Sequence, residues 1–180
     1  MLKVIVPASE FFDTANNEFI VTSRTELTLE HSLVSVAKWE SKWKKPFLSS
    51  DEKTTEEVID YVKCMTLSKN VDPNIYYVIP PDVLKQINDY IDDSMTATWF
   101  TEQPGGSRSR EVITAEIIYY WMIALQIPFE CQKWHLNRLL TLVRVCNIKQ
   151  QPDKKMSRKQ TMASNRALNA ARRKAHGTKG

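Results

Sequence analysis

The sequence predicts an α+β protein that is mainly α-helical: a small N-terminal antiparallel β-sheet, a bundle of about five helices, and a basic C-terminal tail. Three observations carry this reading. Apolar residues alternate with a period of two in the first thirty positions, as on a half-buried strand. From about residue 32 the apolar spacing becomes three and four, the stripe of an amphipathic helix. Beyond residue 150 that stripe stops and basic residues take over. The sheet (1–30) and the helical body (31–150) are expected to share one core, with 151–180 appended as a tail.

Leu2, Val4 and Val6 flank Lys3 and Ile5 in the first strand; Phe19–Ile20–Val21–Thr22 is rich in β-formers, and Leu27–Thr28–Leu29 alternates again. Asp13–Thr14–Ala15–Asn16–Asn17 supplies turn chemistry. Two or three strands follow, and so small a sheet must pack one face on something else. Leu33, Val36, Ala37 and Trp43 can share the stripe of a first helix that Pro46 closes. Thr54–Thr55–Glu56–Glu57 is a capping-box pattern opening a second helix faced by Val58, Ile59, Val62 and Met65. Ile75–Ile79 is β-like in composition, although so brief an apolar run also suits a buried helical turn. Pro80–Pro81–Asp82 opens a helix faced by Val83, Leu84, Ile87 and Ile91, since proline in a first turn loses no needed donor. Gln103–Ser107 holds Gly105 and Gly106, two of the chain's four glycines, and reads as a mobile loop. The two most apolar helices come next, Glu111 to about Leu125 and Glu130 to about Lys149, separated by Pro128. Apolar residues surround much of the first, which is therefore expected at the centre of the core, with Trp121 and Trp134 buried.

Composition narrows the chemistry. Neither G-x-G-x-x-G nor G-x-x-x-x-G-K-[ST] can be written with four such glycines, and G-x-S-x-G and H-E-x-x-H do not occur. Cys131 and His135 stand four apart, a spacing that could hold a metal, but zinc needs three or four protein ligands and no others lie nearby in sequence. A core cysteine beside an ordinary histidine is the plainer reading. Glu111 with Glu116, or Asp92 with Asp93, could pair for acid–base work, yet they lack a nucleophile and read as helix-surface charges. His31 and His176 have no partner visible in the sequence. No enzyme and no cofactor is expected. Cys64, Cys131 and Cys146 are odd in number and widely spaced, which suits a reducing compartment. The opening Met1–Pro7 is too soon interrupted for a secretion signal, no apolar run approaches the roughly 20 residues that span a bilayer, and a cytosolic setting without membrane contact is expected.

Charge and aromatics point to macromolecular partners instead. Residues 151–180 hold nine basic residues and one acid, a net of +8, while residues 1–150 carry 16 basic and 20 acidic residues, a net of −4. Such a tail, with Arg158, Arg166, Arg172 and Arg173, either seeks an acidic partner or is simply solvated. Trp39 and Trp43 are four apart on a helix rich in charge, beside Lys42 and Lys45. This face suits a partner surface or a base-stacking platform, and equally one ring in the core with lysines passing over it.

Leu29–Leu33, Lys38–Trp43 with Lys45–Leu48, Met95–Thr98, Ile117–Met122, Pro128–Leu140 and Asn165–Asn169 together resemble a family of small tailed-phage proteins, the tail assembly chaperones. The resemblance covers most of residues 25–170. It implies a non-enzymatic protein of the host cytoplasm that binds the tape-measure protein, keeps its apolar helices soluble and passes them to the tail-tube protein. The partner-binding residues expected on that basis are Trp39, Trp43, Lys42, Lys45, Arg158, Arg166, Arg172 and Arg173, with self-association as a further expectation. The rival readings are a virion component (connector or tail) and a nucleic-acid-associated phage protein acting through the tail. Because the tail adds no core, truncation after Gln150 should leave a body that still unfolds cooperatively; loss of the thermal transition after that cut would refute the boundary.

Overall fold

The computed structural model describes residues 1–13, 17–100, 112–150 and 158–177. It is α+β and mainly helical, as the periodicities require. Four strands, β1 (Leu2–Val6), β2 (Ser9–Asp13), β3 (Glu18–Thr22) and β4 (Thr25–Leu29), form two antiparallel ladders, β1 with β4 and β2 with β3. Both ladders keep a single register, from Leu2 opposite Leu29 to Asp13 opposite Glu18, so they are two lengths of one ribbon. The break falls at Pro7 and Ala8, where proline has no N–H to give. The inward side also changes there: Val4 and Val6 are buried in β1, whereas Phe12 of β2 is exposed and Phe11 half-buried. The alternation has shifted by one residue, so the ribbon presents opposite parities before and after the break.

The ribbon needs cover, and it receives it. β1 packs against α3 (Pro81–Asp92), and β4 is bordered along its other edge by the chain that leaves α2 (Thr55–Met65). Leu67 N–H donates to the Thr28 carbonyl at 2.8 Å, and Thr28 N–H to Ser68 Oγ at 2.9 Å. An open edge is thereby closed.

α1 (Leu33–Trp43) starts at Ser32, whose Oγ accepts from Ser35 N–H at 3.3 Å, and ends at Lys44 in the left-handed region, φ 55°. α2 has the expected capping box: Thr54 Oγ1 accepts from Glu57 N–H at 3.3 Å, and Glu57 Oε2 from Thr54 N–H at 2.8 Å. Ile75–Ile79 resolves toward the helical alternative, a 3₁₀ turn over Pro73–Tyr77, because Asp72 caps it (Asn74 N–H to Oδ1, 2.9 Å) and Pro73 presets its first φ.

The two most apolar segments depart from expectation. α4 is Ala115–Ala124 and buries only Ala115, Ile118 and Met122. It lies at the margin of the core, with Tyr120 66% and Ile123 61% exposed. The following segment is a 3₁₀ turn, Phe129–Lys133, then α5 (Leu136–Gln150), interrupted at Trp134 and His135 where His135 bridges to Ser32. Trp121 and Trp134 are half-buried; the Arg138 guanidinium lies 4.2 Å from the Trp134 ring centre. Gln103–Ser107 and Glu111 lie outside the described residues.

Two compact units result, Met1–Cys146 and Asn147–Gly180, with the division four residues before the expected one because α5 runs across it. The second contains α6 (Arg158–His176). In the sequence this stretch reads only as a basic tail. Ala163, Ala167, Ala170 and Ala171 have the highest helix propensity, and Arg173, Lys174 and His176 complement the helix dipole in the last turn.

One carboxylate fastens the first unit. Glu40, 7% exposed, accepts from Phe47 N–H at 2.7 Å with one oxygen and from Ala115 N–H at 2.8 Å with the other. Thr114 gives α4 no side-chain cap, so Glu40 of α1 serves that end instead, where a negative charge also suits the dipole. Glu40→Ala should cost about 2–3 kcal/mol in urea unfolding, since it orphans two buried donors of charge-assisted bonds; a loss below about 0.5 kcal/mol would show that water replaces the carboxylate freely.

Candidate functional site

Trp39, Trp43, Lys42 and Lys45 are brought together by the structure at the seam of a helix pair, with Trp39 buried, Trp43 half-buried and the two lysines exposed at the rim. Trp39 is 1% exposed. Its Nε1–H donates to the Glu57 carbonyl at 2.8 Å, and Trp43 Nε1–H donates to Asp60 Oδ2 at 3.0 Å. The two indoles stack with centres 6.2 Å apart, and Phe47 meets Trp39 edge-on at 5.2 Å. Lys42 pairs with Asp60, and Lys45 with Glu57. The Lys45 ammonium, then the Thr54 amide, hold the Glu57 carboxyl below the usual carboxylate range. Of the alternatives the sequence left open for Trp39 and Trp43, the structure has the Trp39 ring in the core with lysines at its rim, and the cluster clamps α1 to α2. Buried tryptophan needs an acceptor, and the lysines that looked free meet acids of another helix. The side-chain surroundings of Arg158 lie outside the described residues, whereas Arg166, Arg172 and Arg173 are exposed on α6.

The histidine without a visible partner has two. His31, 2% exposed, bonds through Nδ1 to the Tyr61 hydroxyl at 2.5 Å, and its ring centre lies 5.0 Å from that of His135. His135 Nε2 bonds to the Tyr90 carbonyl oxygen at 2.9 Å, while its buried Nδ1 has no partner. The Tyr90 hydroxyl donates to Glu30 Oε1 at 2.7 Å. Burial first, and the neighbouring His135 second, lower the His31 pKa to about 3. Cys131 is buried, and desolvation pushes its thiol up. It sits in the 3₁₀ turn and His135 beyond that turn, so the pair does not share one helix face. Among the described residues no group of three metal-ligating side chains converges.

Among the described residues two exposed apolar surfaces stand out that sequence reasoning missed. The first is the outer side of α4 with the following turn: Tyr120, Ile123 and Phe129 are more than half exposed. Half-buried Tyr119 links them, its ring 6.4 Å from Phe129 and its hydroxyl donating to Gln132 Oε1 at 2.9 Å. Exposed Glu116 and Glu130 flank this face. The second is the ribbon end, where Phe12 and Phe19 meet across strands at 5.0 Å beside Val21, which is 71% exposed. The signal for the first was the all-round apolarity of α4, which a core helix and an interface helix share.

Comparison with protein-family models, with curated proteins and with solved structures finds no match for this chain.

His31 gives a pH test. Its folded pKa lies below the unfolded value of 6.5, so the unfolded chain binds the extra proton and stability falls as pH drops from about 6.5 toward 3. The slope from one such group is at most about 1.4 kcal/mol per pH unit. His31→Gln should flatten the urea-midpoint curve in that window relative to wild type; parallel curves would remove His31 as the titrating group.

Proposed function

We propose that this chain is a non-enzymatic protein of phage morphogenesis, a tail assembly chaperone that holds apolar helices of the tape-measure protein before they pass to the tail tube. The observation that carries the reading is the Tyr120–Ile123–Phe129 face, an aromatic and aliphatic surface on α4 and the turn after it that no described residue of the first unit covers. An amphipathic partner helix can lay its apolar side there, and Glu116 and Glu130 favour one flanked by lysine or arginine. The resemblance to tail assembly chaperones supplies the kind of partner. It moves the binding residues from Trp39 and Trp43, which the α1–α2 clamp consumes, to α4.

Co-expression with candidate tail proteins, followed by affinity capture in high salt with nuclease, tests this. The tape-measure protein should co-purify, and Ile123→Asp should lower its recovery by about tenfold or more, as expected when a buried interface anchor is lost. Capture that survives Ile123→Asp unchanged would exclude the α4 face. Stoichiometric presence of the chain in purified virions would favour a connector or tail component over a chaperone.

A further inference from the structure

α6 is a different kind of surface. From Arg158 to His176 it contains no acidic residue, and every side chain described, Met162 to His176, is exposed. At helical spacing Asn165, Asn169, Arg172 and His176 fall on one stripe, with Arg166 and Arg173 along its side. The opposite side carries Ala163, Ala167, Ala171 and Lys174, and Leu168 borders the stripe on the flank away from Arg166 and Arg173. Arg166, Arg172 and Arg173 are thus grouped about two amides one turn apart. Asparagine is a poor residue for a helix interior, so two of them at the centre of an exposed cationic stripe cost helix stability without serving any contact within α6. Solvation alone, or attraction to carboxylates, would need only the charges.

We propose that α6 binds duplex DNA by lying in the major groove, with Asn165 and Asn169 toward base edges and Arg166, Arg172 and Arg173 toward phosphates. An asparagine amide matches the acceptor and donor that adenine displays in that groove, and arginine suits both phosphate and guanine. The groove admits an α-helix. Duplex RNA does not fit, because its major groove is too deep and narrow for a helix. Single strands suit it less, because α6 has no Phe, Tyr or Trp to form a run of stacking platforms. The acidic balance of residues 1–150 confines the contact to this helix.

Fluorescence anisotropy of the full chain with a short fluorescein-labelled duplex tests it. Three phosphate-neutralising cations predict a log–log salt slope of about −2.7, roughly fortyfold weaker binding at ~200 mM than at ~50 mM salt. Arg172→Ala with Arg173→Ala should reduce that slope by about 2, and Arg172→Lys with Arg173→Lys should restore it. Asn165→Ala with Asn169→Ala should keep the slope and erase a preference of about tenfold for duplexes containing A·T over all-G·C ones. Far-UV circular dichroism should show no loss of helix in any of these variants, because the side chains are exposed and alanine favours helix. Ile123→Asp should leave DNA binding intact, so this proposal and the tape-measure reading fail separately. No binding at low salt, tighter binding to single strands, or equal displacement by polyglutamate would overturn it, the last pointing to an acidic protein partner.

Discussion

Everything in the first unit is tied to three residues, Glu30, His31 and Ser32, where the ribbon ends and α1 begins. Their backbone reaches two neighbours at once: Glu30 N–H donates to the Met65 carbonyl at 2.9 Å, and the His31 carbonyl accepts from Leu136 N–H at 2.7 Å. Their side chains take in more, Glu30 accepting from Tyr90, His31 meeting Tyr61, and Ser32 capping α1. Ser35 Oγ closes the turn on the Glu30 carbonyl at 2.8 Å. The turn therefore binds α1, α2, α3 and α5 in one buried polar network. Such a network specifies a single arrangement when its members are satisfied, and makes each loss costly. The unpartnered Nδ1 of His135 is its one open end among the described residues.

Outward from that turn the helices are fixed by two further devices, one of indole hydrogen bonds and ion pairs, the other a carboxylate on two backbone amides, both linking distant elements. Trp39 and Trp43 are held on α2 by the Glu57 carbonyl and the Asp60 carboxylate, with Lys45 and Lys42 completing the pairs. Glu40 sets the start of α4 from the other side of α1. A rigidly placed α4 is what makes its outer face usable, since a surface that keeps its shape pays less ordering entropy on binding. The side chains that would ordinarily suggest an interface are used to hold the one that remains.

Charge divides the labour. Residues 1–150 are mildly acidic and display apolar faces, whereas α6 is cationic and polar. An apolar face gains from excluding water and is little affected by salt; a cationic helix gains from releasing counterions and weakens steeply with it. The two kinds of surface therefore answer to different conditions.

Much of this was legible in the sequence. The fold class, the capping box at Thr54 and Glu57, the proline-led start of α3, and the charge split are local: each depends on residues within a few positions, and the chain's own period reveals them. What tertiary structure alone decided was where side chains find partners far along the chain. Trp39 became core because its acceptor, the Glu57 carbonyl, lies on the next helix; His31 gained Tyr61 and His135 from two others; α4 turned Tyr120 and Ile123 outward because Ala115, Ile118 and Met122 already filled the space against α1. Periodicity reports that a helix has an apolar side, while burial depends on how many neighbours arrive to cover it, and that number is set only when the whole chain packs.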